Sequence, residues 1–258
     1  MEIYYISLTN QYVMARINYK GQLSGSIGPI SHRILDGVAI IQTKPAKGKL
    51  KQTEATKESA SEFGIASKTA KQIRLGLFPI IQNLGDSHLH SRFGTSVYQA
   101  TIRDNSEPKG KRILINGNFE LLNDFEFNNN SEYSKYCNVK ADFELNEEME
   151  LQISIPEFSS KDQIYSVEEA SNAEIAYLIT AFDESSFKVT YEAIFKHQFS
   201  TADTSIPAQQ WKSAKIAPNQ LLFITTAVFY IRKNNLAGPI VLNNKQLHPC
   251  KVAGVIRS

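Results

Sequence analysis

The chain has 258 residues, 42% of them hydrophobic, with a net charge of +2. That length supplies a sizeable core without disulfide or metal staples, and two cysteines far apart in sequence, Cys137 and Cys250, argue against a disulfide framework or a thiolate zinc site. The charge is blocky. Residues 1–112 hold 16 basic against 8 acidic residues, 113–192 hold 4 against 17, and 193–258 hold 8 against 1; such blocks permit self-association between opposite faces or polyanion binding at the ends.

The first residues carry Glu2, lack an apolar run and show no cleavage pattern, so they do not read as an export signal. The run beginning at Met14 has the appearance of a natural start, which makes residues 1–13 a candidate N-terminal extension. The longest apolar stretch, Leu221 to Ile231, is too short to span a bilayer as a helix and reads as a buried strand. A cytoplasmic location is the expectation.

Between Gly21 and Pro29, glycine and serine dominate, and the segment predicts an irregular loop or a close backbone contact. The runs ISHRIL and VAIIQT flank Asp36-Gly37, a strong hairpin signal. A Lys-rich stretch, with Lys44, Lys47, Lys49 and Lys51, then reads as an exposed linker before Thr53 caps a helix. Phe63, Ala66, Ala70, Ile73 and Leu77 form its buried stripe, ended near Pro79. A second, shorter segment over about 87–102, helical or irregular, buries Leu89, Phe93, Val97 and Ala100 on one face.

After the turn at Asn105–Gly110 the period changes to that of strands, which places the principal boundary there, with 14–110 as one region and 111–258 as another. Strands are predicted over Arg112–Asn116, from Cys137 to Leu145, Met149–Ile155, Glu174–Phe182, Phe187–Phe195, Leu221–Ile231, Ile240–Asn243 and Lys251–Ile256. The fold class is mainly β, α+β overall: an N-terminal hairpin and amphipathic helices followed by an antiparallel β-sandwich. The acidic carboxylates fall on the polar phase of these strands and solvate a sheet.

Chemistry-bearing patterns are sparse. His88 and His90 diverge if the backbone there is helical, His248 and Cys250 have no second pair beside them, and no nucleophile motif or phosphate loop is present. No catalytic, metal or cofactor residues are assigned. The candidate contacts are Lys44, Lys47, Lys49 and Lys51 for a polyanion, and Gly21, Ser24, Gly25, Gly28 and Trp211 for an interaction segment. Trp211 also suits a cap over the sandwich core.

The opening MARINYKGQLSGSIGPI, the basic TKPAKGK segment and the helix beginning TEATKESASEFGIASK together resemble an uncharacterised family of Bacteroidetes proteins over roughly residues 14–100. The chain departs from that pattern in lacking an arginine near the middle of the helix and in its extra N-terminal residues. The resemblance implies no activity and no catalytic residues. The leading expectation is a non-catalytic structural or protein-interaction protein that can assemble with itself. The alternatives are nucleic-acid or other polyanion binding through the Lys-rich segment, and a carbohydrate-binding or carbohydrate-active sandwich, which requires a cleft with several aromatics and two carboxylates.

Overall fold

The computed structural model describes residues 15–35, 37–44, 52–234, 236 and 238–258. The chain divides into two compact units, Met1–Thr56 and Lys57–Ser258. The reading of residues 1–13 as an extension lies outside the described residues.

The first unit is an antiparallel meander of β1 (Ala15–Ile17), β2 (Leu23–Ile27), β3 (Ile30–Leu35) and β4 (Val38–Thr43). The expected hairpin is present, with Leu35 opposite Val38 and Ile30 opposite Thr43. The glycine-rich stretch is not irregular. Its centre is β2, with Gly25 opposite His32 and Ile27 opposite Ile30 around the two-residue Gly28-Pro29 turn, where Gly28 takes φ +56. Alternation explains the difference: Leu23, Gly25 and Ile27 share one face, Ser24 and Ser26 the other.

The second unit begins within α1 (Glu54–Gly76) and continues through α2 (Phe78–Ile81), α3 (Leu89–Ile102) and α4 (Tyr133–Tyr136) to β5 (Asp142–Leu145) and β6 (Leu151–Ile155). Then come α5 (Ser160–Gln163), β7 (Asn172–Asp183), β8 (Val189–Ser200), β9 (Gln209–Lys212), β10 (Gln220–Arg232), β11 (Ile240–Val241) and β12 (Cys250–Arg257). The large sheet runs β11-β10-β7-β8, with β12 also on β10, and the small sheet runs β5-β6-β9. All pairings are antiparallel. A mainly-β α+β architecture is therefore present.

Three layers result. Ile175, Tyr177, Ile179, Leu222 and Ile224, on one face of the large sheet, share a core with Leu151, Ile153 and Ile155 of the small sheet. The opposite face, through Ala176, Leu178, Phe182, Leu221 and Phe223, shares a second core with Ala66, Ile73, Phe93 and Val97 of the helices. Because β7 and β10 are covered on both sides, their sequences read as continuous apolar runs. The helices and the strands are thus packed together, and the chain divides at 56/57 rather than at the period change near residue 110. The change of period marks a change of local structure; the shared core crosses it.

Thr53 caps α1 as expected, its Oγ1 accepting the Thr56 N–H at 3.2 Å. Phe63 departs from the predicted buried stripe: it is 55% exposed and lies edge-on to Tyr98. Arg112–Asn116 is not a strand, since Leu114–Asn116 forms a 3₁₀ turn and the Asn105 side-chain amide donates to the Ile113 carbonyl. The strand expected from Cys137 shortens to β5, because the Asn138 N–H donates to Gln163 and the Tyr165 N–H to Tyr136, committing that backbone to α5's neighbourhood.

Candidate interaction surface

β8 ends the large sheet, and among the described residues no strand pairs with its side away from β7. It is 12 residues long, contains neither proline nor glycine, and exposes alternate positions. Glu192, Ile194, Lys196 and Gln198 point to the helical face and are all exposed, so the helical layer covers β7 and β10 and meets β8 at Val189, beside Gly76, but leaves this stretch of β8 open. Ile194 is 47% exposed.

Beside this edge lies a groove of about 500 Å³, floored by Ala176, Leu178 and Phe229 and walled by Pro79 and Ile80 on one side and by Ile194 on the other. Glu174 and Lys196 enter it as an ion pair at 3.1 Å, with the carboxylate largely shielded and the ammonium mostly exposed. Beneath it, His248 is fully buried. Its Nε2 lies 2.9 Å from the Ile80 carbonyl, which can only accept, so Nε2 carries the proton and Nδ1 accepts from the Asn243 amide at 3.2 Å. Burial holds this imidazole below its usual pKa and therefore neutral. His248 is a structural tie between α2 and the start of β12.

The other face of β8 is lidded. Trp211, on β9, stacks on Phe195 with ring centroids 6.0 Å apart, and Phe195 stacks in turn on Tyr177 at 6.2 Å. Trp211 is thus an inter-sheet contact, half-buried against the core. His197, between Phe158 and Phe199, has its pKa lowered by burial.

A second titratable cluster, on residues 124–137 and β12, joins Glu126, Tyr133, Cys137 and Lys251. The Glu126 carboxylate accepts the Tyr133 N–H at 2.9 Å, and burial pushes it up to about 7 against the pull of that bond and of Lys251. Lys251 meets Asp124 at 2.6 Å and lies over the Tyr133 ring. Burial pushes both thiols, Cys137 and Cys250, up, which keeps them protonated and poorly nucleophilic.

No protein-family model, curated protein or solved structure matches this chain. The sequence-derived candidates are therefore placed by geometry alone. His88 and His90 are both exposed at the start of α3, and among the described residues no group of three or more His, Cys, Asp or Glu is arranged to hold a metal. Lys44 is exposed just beyond β4; Lys47, Lys49 and Lys51 lie outside the described residues. Ser24 and Gly25 are in β2, and Gly21 and Gly28 are in the turns on either side of it. Trp211 belongs to the other unit, Lys57–Ser258. Among the described residues, no helix is long and apolar enough to cross a membrane.

Sequence reasoning missed Glu192, Ile194 and Lys196. Their alternation with Ala193 and Phe195 was legible as a strand, but nothing in a strand's own sequence says that its far side is unpaired.

Proposed function

We propose that this is a non-catalytic protein-interaction protein that engages another polypeptide along the open side of its large sheet. The observation that carries the reading is β8 itself, a 12-residue strand whose outer N–H and C=O groups form a ready template for another strand. The exposed Ile194 and the apolar floor beside it add side-chain pockets of the kind strand addition uses for specificity. The carbohydrate alternative draws less support, because the groove presents one aromatic ring, Phe229, and one carboxylate, Glu174. Two free, buried thiols suit a reducing compartment, and the cytoplasm is the location we assign.

Cross-linking of the full chain at its natural expression level tests the reading. The expected result is cross-links from β8 or the groove to another polypeptide chain. A protein that stays free of any such cross-link, while its exposed lysines elsewhere react normally, refutes the assignment.

A further inference from the structure

The occupant of the open edge can be named from the strand's own sequence. We propose that a second copy of this chain pairs antiparallel with β8 about a twofold axis at Ile194, joining two large sheets into one. The inference rests on the strand-addition reading above and adds the partner and its register.

Edges that must stay free are interrupted by proline, bulges or charged side chains, lysine above all. β8 contains no proline or glycine, its one register irregularity lies near its start, opposite Ala181/Phe182, and the charges of its central stretch balance rather than repeat. The two charges on its helical face are of opposite sign, Glu192 and Lys196, placed symmetrically two residues either side of Ile194. A twofold axis at residue 194 therefore sets Glu192 of each copy opposite Lys196 of the other, and Ile194 opposite itself. On the other face it sets Tyr191 opposite His197 and Ala193 opposite Phe195.

The neighbouring registers that keep each face aligned do worse. Moving the axis to Glu192 or to Lys196 puts like charges directly opposite, which destabilises a strand pair. Placing it at Ala193 sets Glu192 against Ile194, and placing it at Phe195 sets Lys196 against Ile194. Only the axis at Ile194 neutralises both charges. Lys196 then lies between two carboxylates: Glu174 of its own chain, already at 3.1 Å, and Glu192 of the second copy. Pairing over the regular stretch from Tyr191 to His197 adds roughly six backbone hydrogen bonds by the alternation of antiparallel ladders. The two exposed ion pairs fix the register more than the affinity, and the Ile194 contact supplies the apolar centre.

The register makes the test specific. Ile194→Cys in the full chain places two thiols at directly opposed positions, within the Cα separation that a disulfide spans. Thr190→Cys, near the start of β8, leaves its two copies about 27 Å apart along the strands at 3.4 Å per residue. Cys137 and Cys250 are buried and do not compete. The expected result under mild oxidation is a disulfide-linked dimer from Ile194→Cys and none from Thr190→Cys. Light scattering of the unmodified chain should show a dimer, and Glu192→Lys, which sets two lysine pairs face to face, should weaken it on the order of tenfold. A dimer that cross-links through position 190 and not 194 overturns the register. A chain that stays monomeric at roughly 100 µM, well above the micromolar range of ordinary transient partners, overturns the pairing. If such a monomer still cross-links to a different polypeptide through β8, the interaction reading stands and only the second copy as occupant is lost.

Discussion

Replacing Glu126 by glutamine changes the charge of one partly buried group and little else. The glutamine carbonyl can take the Tyr133 N–H that Glu126 Oε2 now accepts at 2.9 Å. In the folded protein burial raises the carboxyl from 4.5 to about 7, opposed by the hydrogen bonds from Tyr133 and Ser134 and by Lys251, and reinforced by Glu132. Between those two values the folded state holds a proton that the unfolded chain has released. Its contribution to stability is therefore complete below about pH 4.5 and is lost as the pH rises through 7. Taken at face value the shift corresponds to about 3 kcal/mol; because the side chain is partly exposed, solvent screening reduces this to roughly 1–2 kcal/mol. The stability of Glu126→Gln relative to the unsubstituted chain should rise by that amount between pH 4.5 and 7.5 and then level off. Urea titrations at a series of pH values, followed by the fluorescence of the single tryptophan, Trp211, report on the unit that contains Glu126. Taking the difference between the two proteins cancels groups they share, among them His197 and His248, whose lowered values act in the opposite sense. A difference that is flat across this range, or that falls with pH, would refute the assignment of a proton to buried Glu126.

Two further substitutions probe the packing that positions the sheet. A Cβ at Gly117 comes within 2.2 Å of the Ala100 carbonyl oxygen and 2.8 Å of that of Thr101; the Ala100 oxygen is also held by the Asn118 N–H at 2.9 Å. Gly117→Ala should therefore cost about 2 kcal/mol or more, read as a drop in the urea midpoint, and a neutral outcome would show that the end of α3 yields freely. Tyr230 is fully buried, and its hydroxyl has no hydrogen-bond partner among the described residues. Tyr230→Phe should leave stability unchanged or raise it by up to about 1 kcal/mol; a loss of that size would reveal a partner for the hydroxyl.

Much of the architecture was legible in the sequence because it depends on local periodicity. The stripe of Ala66, Ala70, Ile73 and Leu77, the alternation in Leu151–Ile155, the Asp36-Gly37 signal and the long apolar runs of β7 and β10 each identify an element by how its side chains repeat. In β5 and β6 the alternation also identified which side is wet. It failed where backbone groups find non-local partners, as at Ile113, whose carbonyl is taken by Asn105, and at Asn138, whose N–H is taken by Gln163. It failed at Phe63 as well, because the buried face at that level of the helix passes through Glu62, whose carboxylate accepts the Gly110 N–H, and leaves Phe63 at its border.

What only the tertiary structure decided is which elements share a core and which strand is left at an edge. The change from helical to strand period near residue 110 is a property of neighbouring residues, whereas the helical layer on β7 and β10 is a contact between segments roughly a hundred residues apart. In the same way, Glu192, Ile194 and Lys196 alternate as they do in any half-buried strand. Their importance comes from the absence of a strand beyond β8 among the described residues. Pairing is a relation between two strands, and one strand's sequence specifies its faces but not its neighbours.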